Sequence, residues 1–126
     1  MSKDKKTFDL QERLIDFAVQ IIRIAESLQK TRVGNHISGQ LIRCGTSPAP
    51  NYGEAQSAES RSDFVHKMKI CLKALRETMV WLIMIVRANL IKPLTKLDPI
   101  IEENDELISI FVSSINTARR NKRKPS

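Results

Sequence analysis

QLIRCGTSPAPNYGEAQ, residues 40–56, followed at 61–81 by RSDFVHKMKICLKALRETMVW, is the stretch on which the fold turns. Ile37, Leu41, Ile42 and Cys44 supply the buried side of a helix that begins near Gly34 or Asn35. Pro48 and Pro50 then interrupt it, because each lacks an amide hydrogen and crowds the carbonyl four residues back. The helix must bend or briefly break near Ser47, and its pattern resumes from Asn51 to about Ser60. The second segment predicts a long helix from about Ser62 to Asn89, with Ser62 and Asp63 as its capping oxygens. Phe64, Met68, Cys71, Leu75, Met79, Leu82 and Val86 form its inward stripe. Roughly opposite, at 100° per residue, lie His66, Lys69, Lys73 and Arg76, then Val80, Ile83 and Arg87. That outer stripe starts basic and becomes apolar.

From Met79 to Val86 every residue is apolar, so this end of the helix needs cover on all sides. A subunit interface that includes Val80, Ile83 and Met84 is the expected cover, and a central helix wrapped by its own chain is the alternative. Working outward, Leu10, Leu14, Phe17, Ala18, Ile21, Ala25 and Leu28 recur at three- and four-residue steps and predict a first helix over Asp9–Gln29. Pro93 is expected to end the long helix. Leu107, Ile108, Phe111, Val112 and Ile115 place a last helix from about Ile100 or Asn104 to Ala118. The fold class is therefore all-α, an antiparallel up-down-up-down four-helix bundle with a proline-kinked second helix. Its domain is expected over residues 1–118, with residues 119–126 a basic tail that is disordered until bound.

The 126 residues suit one domain, and four glycines and six aromatic residues argue against a sheet-rich protein. The net charge of +7 is unevenly placed. Residues 61–92 carry seven basic and two acidic side chains, and residues 117–126 carry five basic and none acidic. Such clustering points to a polyanionic partner, nucleic acid ahead of membrane. The candidate contacts are Lys67, Lys69, Lys73 and Arg76 on the helix, with Arg119, Arg120, Lys122, Arg123 and Lys124 in the tail. Cys44 and Cys71 lack metal-ligand spacing and read as buried thiols in a reducing compartment. With no apolar leader pattern and no run near the roughly 20 residues that span a bilayer, the expected location is the cytoplasm.

Several motifs in this block resemble a known family. Gln40-Leu-Ile-Arg with Thr46-Ser47, Asn51-Tyr-Gly-Glu-Ala, Asp63-Phe with Lys67, and Arg76-Glu-Thr before Trp81-Leu are similar to the bacterial four-helix-bundle family that includes proteins encoded in 23S rRNA intervening sequences. The resemblance covers about Phe8 to Ile115 and implies a bundle that assembles as a homopentameric ring without enzymatic activity. A distant branch, accessory to diversity-generating retroelements, implies binding of nucleic acid and a reverse transcriptase. That branch usually lacks the Asn-x-x-Glu block present here.

The polar residues of the block have a structural reading. Asn51 and Glu54 stand just past the prolines and can satisfy backbone groups that the bend frees. Gln40, Arg43 and Arg76 are expected to complete a polar network with Glu54 and Glu77. Catalytic chemistry has little support. Arg61 and His66 fit an Arg-x4-His spacing that resembles HEPN-type ribonucleases, a short match that a basic helix yields by chance; His66 is read as part of the outer basic stripe. His36 stands alone, the acidic run Glu102–Glu106 reads as a helix start, and no glycine-rich phosphate loop exists, so no metal and no cofactor are expected. The reading is a non-enzymatic oligomer that binds RNA or other nucleic acid. A scaffold for an acidic protein such as a polymerase or a ribosome-associated factor is the alternative.

Overall fold

The computed structural model describes residues 9–123. Five α-helices, α1 (Leu10–Ser27), α2 (Arg32–Thr46), α3 (Pro48–Gln56), α4 (Arg61–Arg87) and α5 (Asp98–Arg123), follow one another, with a 3-10 turn at Leu94–Leu97 before the last. Because α2 and α3 are two arms of one bent helix, the architecture is the four-helix bundle that the periodicity predicts. Around the bundle the order is α1, the α2–α3 arm, α4 and α5; α2, α3 and α5 separate α1 from α4, which sit diagonally.

Local chemistry sets each boundary. Asp9 caps α1 by accepting from Glu12 N at 3.1 Å. Thr31 caps α2 by accepting from Gly34 N at 3.0 Å, which starts this helix at Arg32, ahead of the expected Gly34. A Cβ on Gly34 would lie 1.9 Å from the Gln29 carbonyl oxygen, so only glycine admits that approach. Ser60, and not Ser62, caps α4, its hydroxyl accepting from Asp63 N at 3.0 Å. At the other end α4 stops before Pro93. Asn89 takes φ 56°, Leu90 N donates to Ile85 O, and Asn89 N donates to Val86 O, both at 3.1 Å. This pair of bonds is the Schellman arrangement, with asparagine in the left-handed position.

α5 is longer than its apolar pattern suggests. It begins at Asp98 and continues through Arg123, so the expected end at Ala118 falls inside a helix. Arginine and lysine are good helix formers, and cations in a last turn favour the helix dipole. Residues 119–123 are thus helical. Residues 124–126 of the expected tail lie outside the described residues.

The core gathers Leu14, Phe17 and Ile21 of α1, Leu41 of α2, Met68, Cys71, Leu75, Leu82 and Ile85 of α4, and Leu107 and Phe111 of α5, all at most 1% exposed. The inward face of α4 drifts from the expected one. Ala74, Thr78 and Ile85 are buried, whereas Met79 and Val86 are half-buried. Over 27 residues a 3.6-residue turn departs from a simple repeat of three and four.

Candidate nucleic-acid interface

Lys69, Lys73 and Arg76 stand exposed on the outward face of α4. At 1.5 Å per residue they span about 10.5 Å of the helix. Among the described residues none of the three forms a salt bridge. Antiparallel packing brings the end of α5 to the start of α4. Ser62, Val65, His66 and Lys69 line an open cleft together with Arg119. Two basic segments that are 50 residues apart in the chain therefore meet on one face. Arg120 is exposed beside them and donates to Thr117 Oγ1 at 3.3 Å. Lys122 and Arg123 continue the α5 backbone; their side chains, and Lys124 altogether, lie outside the described part.

Lys67 is differently engaged. Its Nζ reaches Glu54 Oε1 at 2.6 Å and ties α4 to α3; that hydrogen bond raises the ammonium pKa above its ordinary value. The expected polar network divides in two. In one part Arg43 donates to Gln40 Oε1 at 2.9 Å and to Glu77, and Trp81 Nε1 donates to Glu77 Oε2 at 3.1 Å. Donation from Trp81, then from Arg43, holds the Glu77 carboxyl below the usual range. Trp81 also meets His36 edge to face, with ring centroids 5.9 Å apart. Arg76 points outward and joins neither part.

The other part braces the bend. Asn51 Nδ2 donates to Ser47 O and Ser47 Oγ, each at 3.0 Å. Gln11 Nε2 donates to Ala49 O at 2.9 Å, and the Cys71 thiol contacts Pro48 O at 3.5 Å. Three successive carbonyls thus receive side-chain donors from α3, α1 and α4. Glu54 takes no part in this, being paired with Lys67. Both thiols are buried, and burial pushes Cys71 up to about 12 and Cys44 upward as well.

Toward its other end the outward face of α4 becomes apolar. Val80, Ile83 and Met84 are 52, 38 and 42% exposed, and with Ile37, Arg87 and Ala88 they line a shallow groove. Among the described residues nothing covers these three side chains fully. Arg61 and His66 lie on the exposed start of α4. Among the described residues no three His, Cys, Asp or Glu side chains cluster for a metal ion, and no helix is long and apolar enough to cross a membrane.

One buried polar contact of the fold was not legible in the sequence. Asn104 is fully buried on α5, and its amide is assigned in the orientation that satisfies both neighbours, with Nδ2 donating to Leu75 O at 3.2 Å and Oδ1 accepting from Met79 N at 3.1 Å. Its spacing was the available signal, since it continues the row Ile100, Leu107, Phe111 and Ile115.

The sequence profile of the 23S rRNA-intervening sequence protein family matches residues 6–113. No curated protein matches the chain. A crystal structure at 1.70 Å from Bacteroides thetaiotaomicron VPI-5482, of a protein with unknown function from the S23 ribosomal protein family, superposes with a TM-score of 0.77. The two sequences are 31% identical, over 83% of this chain and 96% of that one. The profile spans most of the chain and the solved relative shares its fold, and the chain belongs to the 23S rRNA-intervening sequence protein family.

Proposed function

We propose that this protein is a non-enzymatic, homo-oligomeric bundle of the cytoplasm that binds RNA through its basic face. The observation that carries the reading is the meeting of Lys69 and His66 on α4 with Arg119 on α5. Cations without acidic partners are available to phosphate, and each one that neutralises a phosphate releases condensed counterions. Among the described residues every Phe, Tyr and Trp side chain is buried or half-buried, so base stacking contributes little and the backbone is the target. Repetition of the face in an oligomer adds avidity to weak contacts.

The test is a titration of the nuclease-treated protein into labelled structured RNA across a salt series, read by anisotropy. Affinity should fall steeply with salt. Lys69→Ala with Lys73→Ala should lower the log–log salt slope by roughly 1.5, the share of two phosphates. An unchanged affinity would make this face ordinary solvated surface. No binding at low salt would remove the nucleic-acid reading and leave a scaffold for a protein partner.

A further inference from the structure

At the end of the bundle away from Arg119, the turn between α1 and α2 meets the connection from α4 to α5. Residues of both line a cavity of about 480 Å³, within the roughly 300–1,000 Å³ typical of small-molecule sites. Leu28, Leu90 and Ile91 give it an apolar wall, and Gln29, Lys92 and Lys96 bring polar groups. At 1.5 Å per residue it lies about 30 Å along α4 from Lys69, so it stands apart from the basic face.

The two lysines set the charge of this cavity. α1 and α4 end here while α2 and α5 begin, so the opposed helix dipoles largely cancel. Lys92 and Lys96 are exposed, and among the described residues neither forms a salt bridge. Glu26 and Asp98, the nearest acids along the chain, do not line the cavity. A lysine near a helix C-terminus ordinarily serves the last carbonyls. Here those carbonyls already have donors. Ile24 O accepts from Ser27 Oγ at 2.7 Å and Ala25 O from Leu28 N at 3.3 Å. Ile85 O accepts from Leu90 N and Val86 O from Asn89 N, both at 3.1 Å. Lys96 N donates to Pro93 O at 3.0 Å, and this turn brings both lysines to one cavity. Both ammonium groups are therefore available to an anion from outside.

Two cations in one cavity suit a dianion, and a phosphomonoester carries about 1.5 to 2 negative charges at neutral pH. A carboxylate would use one of them only. The apolar wall suits a flat ring beside that phosphate. Gln29 and Asn89 also line the cavity, and a carboxamide both donates and accepts, as a base edge does. We propose that this cavity binds a nucleoside 5′-monophosphate, with the phosphate between Lys92 and Lys96 and the base against Leu28 and Leu90.

The experiment is a calorimetric titration of AMP into the full chain, with adenosine and inorganic phosphate as separate probes. AMP should bind once per chain, and each fragment roughly tenfold more weakly or worse. Lys92→Ala with Lys96→Ala should weaken AMP by roughly tenfold or more, and Gln29→Ala by less. All three positions are exposed, and circular dichroism checks that the variants fold. Lys69→Ala with Lys73→Ala should leave AMP binding unchanged. The same phosphate also ends an RNA chain, so a short 5′-phosphorylated RNA is titrated beside AMP. Weaker binding than AMP assigns the cavity to free nucleotide; equal binding that needs the 5′-phosphate assigns it to RNA ends. The proposal is overturned if AMP does not bind at millimolar concentration, or if adenosine or inorganic phosphate binds as tightly. It is equally overturned if the affinity survives loss of Lys92 and Lys96, or disappears with Lys69 and Lys73 instead.

Discussion

Asn104 of α5 donates its side-chain amide to the carbonyl of Leu75 in α4 across a wholly buried seam, at 3.2 Å. It also accepts from Met79 N, and these two backbone groups are four residues apart, the donor and acceptor of one helical rung. A polar side chain thus replaces an apolar contact at a core position and fixes the register of α5 on α4.

Asn104→Ala should destabilise the protein by about 1–3 kcal/mol, the range for a lost buried hydrogen bond and its cavity. Self-pairing of Leu75 O with Met79 N keeps the cost toward the lower end. Asn104→Asp should cost more, since an ionised carboxylate cannot donate to Leu75 O. Urea midpoints at neutral pH rank the three proteins; an aspartate variant as stable as the wild type would refute the assigned bonds.

Two glycines of α2 should respond in opposite directions to the same substitution. A Cβ on Gly45 would stand 2.6 Å from Ile21 Cγ2 and 2.9 Å from Cγ1, whereas Gly39 has nothing within 4 Å. Gly39→Ala should therefore stabilise by about 0.5–1 kcal/mol through lost chain entropy. Gly45→Ala should destabilise by about 1–3 kcal/mol, as overpacking forces α1 and α2 apart. Thermal melts of the two variants give the sign directly.

Glu77 links stability to pH. Its carboxyl is held below the ordinary value of 4.5 by Trp81 and Arg43, so it stabilises the fold above that value. As pH falls through the lowered folded pKa, this contribution disappears. The side chain is partly exposed, which keeps the effect under about 1 kcal/mol. Glu77→Gln should flatten this part of the acid limb, and emission from Trp81, the only tryptophan, should shift between neutral and acid pH in the wild type alone.

Cys71 should resist thiol reagents in the folded protein. Burial raises its pKa to about 12, so the thiolate that reacts is scarce at pH 8 and sheltered as well. Labelling by a disulfide reagent should follow global unfolding, with Cys44 equally slow. Because the folded pKa lies above the unfolded one, this thiol's stabilisation is complete below pH 9.0 and is lost as pH rises toward 12. Rapid native labelling at pH 8 would place the thiol outside the core.

The helices, their inward rows and the bend at Pro48 and Pro50 were legible in the sequence because each follows from local stereochemistry. Apolar spacing reports a helix face, and a proline removes its amide hydrogen wherever it stands. The outer stripe of α4, basic and then apolar, was legible for the same reason. What only the tertiary structure decided depends on neighbours remote in the chain. Antiparallel packing set Arg119 beside Lys69, Glu54 drew Lys67 away from the basic row, and a position next to α4 buried Asn104. A sequence lists the polar side chains and their spacing along one helix. Which of them meet is settled by how the helices pack, because a hydrogen bond or ion pair forms only across the few ångströms that packing closes.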